Sequence, residues 1–432
     1  RDFIAKAAAT GVSAAAVGFF LKAADTRAQD EPTPVPADVA APLVATPCSG
    51  DGCLFAGQTV TFLTPNETIQ VPIFEVRDEF EAATGAKLDI VLAAMNDTLP
   101  NLLQDMANGT GAYDASIIGA WWLGELVEGD YLLPIDDWIP DERFPQWTLE
   151  SVLPGIRNLM QYDGKTYASA YDSDGQAFYY RRDLFSDPDH MAAFKAEAGY
   201  DLPDPPTTWD QVTDLAKYFN GKPFGPNGEE GAGITMHLAV GQQAMFHFMT
   251  FSAPFVIGPD NPQLYWFSPE DMTPLITSPG HVQAINYLLE LSKYGPQAMM
   301  ARGLTESWDY FLSGLAAMTF TWGDLGALAQ ETPERGGKSL VKGQTVTSQC
   351  PGTMSYYNIA GEVEVSVDAP NIVGNTTGGS WAPIISKFSK SPEATYYMCA
   401  LIATEPKAKA YTARGFDGVD PGRTFEFPPH NG

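Results

Sequence analysis

The sequence predicts an α/β protein whose strands are mainly parallel and flanked by helices, and three observations carry that prediction. Short apolar runs alternate with segments of helical spacing between residues 59 and 128. Glycines stand just past two of those helical segments, where helices stop. The strand–helix–strand pace calls for right-handed crossovers, which generate parallel sheets. At 432 residues the chain has material for two or three domains.

In order, Thr59–Leu63 reads as a strand ending at Thr64-Pro65-Asn66. Apolar residues at 69, 73, 76, 80 and 83 then form one helical face that stops at Gly85. Lys87–Leu92 is the second strand, and Asn96-Asp97-Thr98 opens a helix that closes at Gly109. Asp114–Ile118 is the third strand and Trp121–Glu128 the third helix. Ligands of such sheets lie beyond the carboxyl ends of the strands. The candidate loops are therefore Thr64–Asn66, Met95–Asp97 and Gly119–Trp122. Later, Thr208 and Gln211 form a capping box before a helix over Val212–Phe219. His281–Tyr294 carries Val282, Ile285, Leu288 and Leu289 on one face, and Ser391-Pro392-Glu393 starts a helix that contains Cys399.

Composition narrows the function. Apolar residues make up 44% and charged residues 18%, which excludes a disordered chain. The 25 Lys+Arg against 53 Asp+Glu leave a net charge of −28. A surface that negative repels phosphate backbones and anionic headgroups, so nucleic acid is no partner. Four cysteines cannot make a disulfide scaffold, and the five histidines show no helical i, i+4 metal pair. No metal or cofactor is expected.

The first residues read as an export segment. A basic start precedes an apolar run from Ala7 to Leu21, shorter than the roughly 20 residues that span a bilayer. Residues 1–28 are expected to be a signal peptide cut after Ala28, or an uncleaved anchor, with Arg1-Asp2-Phe3-Ile4 like the end of a twin-arginine signal. Residues 29–56 form a proline-rich linker with a Cys48–Cys53 loop, the two thiols closing a local disulfide outside the cytoplasm. Cys350 and Cys399 either pair or sit buried. The expected location is extracytoplasmic: the periplasm or the outer face of the cell membrane, which the chain touches only through an uncleaved N-terminal segment.

Five stretches in order then resemble one family. They are Tyr162–Tyr167, Phe178–Phe185, Pro206–Asp210, Phe311–Phe320, and Gly378–Trp381 followed by Ser386–Ala394. The series resembles the bacterial extracellular solute-binding proteins of ABC importers, the carbohydrate class that includes maltose-binding protein. The resemblance runs from about residue 58 to 421, and Asp420-Pro421-Gly422-Arg423 with Phe425 echoes one branch that usually continues further. It implies the two-lobed periplasmic-binding-protein fold, each lobe a mainly parallel sheet flanked by helices. Lobe 1 would be 57–168 and 348–414, and lobe 2 would be 169–347 and 415–432, truncated at its C-terminus. It also implies a solute held between the lobes and delivered to ABC permease subunits in the membrane.

A sugar or polyol offers apolar C–H faces to flat aromatics and hydroxyls to carboxylates and amides. Trp121 and Trp122 follow the third strand; one should face the solute and the other the helix core. Trp322 and Asp324 follow a strand-like Ala317–Thr321, and Trp381 follows two glycines. Trp209 belongs to its capping box, whereas Trp266 fits either role. Asp172, in Tyr171–Gly175, enters the gap at the crossover or sits in an acidic turn. A calcium loop there lacks its remaining ligands and distal Glu. Asn66, Asn96 and Asp97 have the right address but also suit helix caps.

Three function classes follow: a sugar- or polyol-binding component of an importer, a non-transporting ectodomain of a membrane-anchored complex, and a glycoside hydrolase. A hydrolase needs two carboxylates facing each other across one bond, and no such pair stands out in the sequence. The first class is the expectation, with no catalysis.

Overall fold

The computed structural model describes residues 48–427 except 241–242, 260–263, 332, 334–336, 360–362, 375–378 and 414–417. The export segment and most of the proline-rich linker lie outside the described residues. Cys48 and Cys53 are disulfide-bonded, Cα to Cα 5.0 Å. Cys350 and Cys399 are free thiols in different cores.

The first half builds as the apolar periodicity dictates. β1 (Thr59–Pro65), α1 (Arg77–Thr84), β2 (Lys87–Ala93), α2 (Met95–Asn108), β3 (Ala115–Gly119) and α3 (Leu123–Glu128) follow in turn. Gly85 and Gly109 end α1 and α2 in the left-handed conformation. The face starting at Ile69 is broken at Val76, so α1 is preceded by a short turn of helix over Val71–Glu75. Before the crossover, Ala168 makes an isolated antiparallel bridge to Ile384.

After the crossover at residues 171–175 come β4 (Gln176–Arg181), α4 (Trp209–Phe219), β5 (Ala232–Thr235), α5 (Ala244–Val256), α6 (Pro279–Ser292), β6 (Ala316–Trp322) and β7 (Thr345–Ser348). A hairpin of β8 (Thr353–Asn358) and β9 (Val363–Asn371) precedes β10 (Trp381–Ile385) and α7 (Pro392–Ala403). Thr208 and Gln211 form the expected capping box on α4.

Two sheets result. The first has the order β10-β3-β1-β2, parallel except for β10 against β3. The second has the order β5-β6-β4-β7, and here only β5 and β6 run parallel. A mainly parallel sheet therefore describes the first body and not the second. β4 enters directly from the crossover, so its start lies beside the end of β6. Each sheet has its own core: Phe62, Ile117 and Met398 belong to the first, and Trp209, Phe251 and Phe320 to the second.

Two expected lobe assignments are corrected by packing. The β8–β9 hairpin, expected in lobe 1, packs on α5 and α6. Thr353 Oγ1 and Asn371 Nδ2 both donate to the Pro254 carbonyl, at 2.7 and 2.8 Å. Conversely, Val419 joins the first core, and the Arg423 guanidinium donates to Ala403 O and Ser151 Oγ. The segment expected in lobe 2 thus packs on lobe 1. On α6 the expected apolar face also divides: Ala284 and Leu291 are buried, but Val282, Ile285 and Leu289 are exposed.

The second body buries three histidines. His237 and His247 bond through Nε2 and Nδ1 at 3.0 Å, and His281 lies flat against Trp266. Burial pushes His237 down to about 3 and His281 to about 4. A histidine whose folded pKa lies below its unfolded value near 6.5 gives full stability above 6.5, lost as pH falls through that value towards 4. His281→Phe keeps the flat contact and removes the titration. Its melting temperature should therefore fall less than that of the parent between pH of about 7 and 5. Parallel melting curves would show that His281 does not resist protonation.

Candidate functional site

Strand register explains where the indoles gather. Gly119 ends β3, and its antiparallel partner across the ladder is Trp381, which begins β10. Trp121 and Trp122 follow Gly119 in a tight turn. All three indoles therefore leave one edge of the first sheet. Their rings meet edge to face: Trp121–Trp381 at 5.1 Å, with Trp121–Trp122 and Trp122–Trp381 at 5.5 Å. Such contacts contribute about 0.5–1.5 kcal/mol each beyond area burial. A Cβ on Gly119 would come within 2.5 Å of the Trp121 ring, so this arrangement requires glycine there.

The second body reaches the same place. Phe246 on α5 meets Trp121 at 5.2 Å and Trp322 at 5.5 Å. Trp322 ends β6 and donates its Nε1–H to Gln243 Oε1. A run of five rings thus crosses from one lobe to the other. Trp122 and Trp381 are half-buried, Trp322 is 4% exposed and Trp121 is 42% exposed. Trp121 is the ring with most surface left to offer.

The polar side comes from the crossover. Asp172 N–H donates to the Trp381 carbonyl at 3.1 Å, which fixes the crossover to the indole edge. The Asp172 carboxylate is 2% exposed, and its Oδ1 accepts from Ser173 N and Asp420 N, both at 2.8 Å. That oxygen ties the crossover to the C-terminal segment. Its Oδ2 is buried without a hydrogen-bond partner, as is Oδ2 of Asp420, and Asp420 is 7% exposed. One carboxylate oxygen from each of Asp174, Asp324 and Asp420 lies within 4.8 Å of the others.

Crowding and burial change these acids. Burial, partly opposed by the two N–H donors, pushes Asp172 up to about 8, and burial pushes Asp324 to about 6. Asp174 and Asp420 are raised as well, by burial first and then by neighbouring carboxylates. The group therefore holds protons at a pH where isolated carboxylates have lost them. It can accept hydroxyl hydrogen bonds, donate them, or face a cation.

Of the residues singled out in the sequence, Trp121, Trp122, Trp322 and Trp381 come together, with Asp172 and Asp324 beside them. Trp266 does not join them; it packs against Tyr265, Phe248 and His281. Asn66 follows β1 and accepts from Gln70 Nε2 at 3.1 Å, while Asn96 and Asp97 are exposed in the first turn of α2. No ring contact or hydrogen bond among the described residues links those three to the indoles. Phe246, Gln243, Asp174 and Asp420 escaped sequence reading. Only Asp174 and Asp420 lay within stretches already noted.

Residues 64–400 match the family described as bacterial extracellular solute-binding protein. The chain belongs to that family. A putative binding protein of Brucella abortus (strain 2308) is 32% identical over 149 residues, 34% of this chain and 32% of that one. The mannitol-binding protein of Pseudomonas aeruginosa is 25% identical over 291 residues, 66% of this chain and 58% of its own. The chain thus aligns with about a third to three fifths of the length of these curated relatives.

Solved structures show the same fold. An ABC transporter solute-binding protein from Agrobacterium vitis S4 with bound D-mannitol superposes with TM-score 0.62 at 21% identity, covering 85% of this chain and 78% of that one. One from Agrobacterium radiobacter K84 with ribitol gives 0.62 at 20% identity, covering 86% and 82%.

The geometry of the crossover is testable. Asp172→Asn keeps an oxygen for the Ser173 and Asp420 N–H groups, whereas Asp172→Ala leaves both without an acceptor. Both variants remove the titrating carboxyl, so their difference reports on the two hydrogen bonds. Stranding a buried donor costs about 1–3 kcal/mol. In urea unfolding, the Ala variant should be less stable than the Asn variant by at least about 1 kcal/mol. Equal stabilities would mean that Asp172 does not join the two segments.

Proposed function

We propose that this chain captures a sugar or polyol between its two lobes, without turning it over, and hands it to the permease of an ABC importer. The observation that carries the reading is the run of rings from Trp122 and Trp381 through Trp121 and Phe246 to Trp322, with Asp172 and Asp324 beside it. Flat indoles suit the C–H faces of a polyhydroxylated carbon chain, and buried carboxyls suit its hydroxyls. Both lobes contribute, so bound solute would favour the closed arrangement. Family membership and the mannitol named for one relative support the same class. Delivery to a permease implies export, and with it a signal or anchor in residues 1–28.

A ligand screen tests this. Among D-mannitol, ribitol, maltose and related sugars, at least one should raise the melting temperature and alter tryptophan fluorescence. At a hundredfold excess over Kd the stabilisation is about 2.7 kcal/mol. Trp381→Ala should weaken that solute about tenfold or more, while its two lost edge-to-face contacts lower the ligand-free stability by about 1–3 kcal/mol. No shift across the panel would remove the carbohydrate reading. A steep ligand-free loss in Trp381→Ala would make that indole part of the core.

A further inference from the structure

We propose that Asp174, Asp324 and Asp420 together bind one divalent cation of calcium size at the junction of the two lobes. The three residues come from the crossover, the segment after β6 and the C-terminal segment, and one carboxylate oxygen of each lies within 4.8 Å of the others. Carboxylate oxygens gathered this closely can converge on one Ca2+, whose oxygen ligands sit at about 2.3–2.6 Å in a flexible shell. Mg2+ dehydrates reluctantly and is seldom held by an all-protein set of ligands, so buried carboxylates favour the larger ion.

A second observation points the same way. Asp172 is not one of the three, yet its carboxyl lies within hydrogen-bonding reach of Asp174, and its Oδ2 is buried without a partner. Oδ2 of Asp420 is in the same condition. Among the described residues, neither Asp172, Asp324 nor Asp420 pairs with a Lys or Arg. Gln176, two residues after Asp174 and opposite Trp322, also has both amide atoms buried and unpartnered. Buried polar atoms are rarely left without partners, so two orphaned carboxylate oxygens beside an oxygen-only cluster call for a positive ligand. Gly323 leaves the room: a Cβ there would stand 2.5 Å from Asp420 Oδ2.

The sequence argued against a calcium loop because residues 171–175 lack the remaining ligands. The fold supplies them from 324 and 420 instead. Each carboxylate gives the ion one oxygen, which leaves the other oxygen of Asp324 for a solute. The site does not depend on the identity of that solute.

Terbium luminescence on the chelator-stripped, full-length protein, without solute, tests the proposal. Tb3+ is a probe of calcium sites, and Trp322, two residues from Asp324, is positioned to sensitise it. We expect one saturable luminescent site, displaced by Ca2+ at lower concentration than by Mg2+. Calcium chloride should also raise the melting temperature over chelator at matched ionic strength. Removing even an outer partner of a metal ligand costs about 10–100-fold in affinity, so Asp324→Asn and Asp420→Asn should each weaken Tb3+ at least that far. Should one variant not fold, the other and the parent titration carry the test. Non-saturating emission, equal affinity in parent and variants, or a primary amine stabilising the protein where Ca2+ does not would each overturn the assignment.

Discussion

The arrangement rests on one register constraint. In each sheet an antiparallel partner lies beside the strand whose carboxyl end faces the other lobe. β10 runs against β3, so Trp381 stands opposite Gly119. β4 runs against β6, so Gln176 stands opposite Trp322. A slip of one residue would send every side chain of the strand to the other face. Trp381 would then leave the indole group, and the Asp172 N–H would lose the carbonyl that fixes the crossover.

Much of this was legible because strand ends are legible. Residues 59–128 alternate at periods that only strands and helices satisfy, so Trp121 and Trp122 could be assigned to a strand terminus before any coordinates. Trp322 followed for the same reason. Phe246 did not, because α5 is apolar nearly all round and its periodicity does not say which ring faces outward. Asp420 was hidden by distance: its contact with Asp172 joins residues 248 apart, and no local pattern records that. The lobe boundaries slipped on a similar point. Alternation identifies the β8–β9 hairpin but not the helices it packs on, which are settled by long-range contacts such as Asn371 to Pro254.

Trp266 shows the limit of reading aromatic residues by their neighbours in sequence. Flanked by Tyr265 and Phe267, it suits a ligand shelf or a core edge equally. The structure places it flat on His281, 5.7 Å between ring centres. A buried neutral imidazole and an indole share an apolar contact that needs no solute. Trp381 differs in being flanked by backbone that is already committed. Its carbonyl takes the Asp172 N–H, and its place in the ladder is set by Gly119, so its ring orientation follows from main-chain geometry.

The carboxylates are the more demanding feature, because charge at the boundary of two apolar cores is costly unless something compensates it. A hydrogen-bonded oxygen such as Asp172 Oδ1 solves half the problem for one residue. Protons can solve the rest, and burial holds these acids above the usual carboxylate range. A proton, however, neutralises one carboxyl at a time and leaves the oxygens of its neighbours facing one another. A cation neutralises several together and ties the segments that carry them. A polyol donates hydrogen bonds without supplying charge. These three solutions compete for the same lone pairs, so occupation by one changes the affinity of the others by linkage. With the proposed cation and solute, the coupling runs through Asp324, the acid that belongs to the cluster and borders the indoles. Any solute entering beside Trp121 meets a polar wall whose charge depends on what already occupies it.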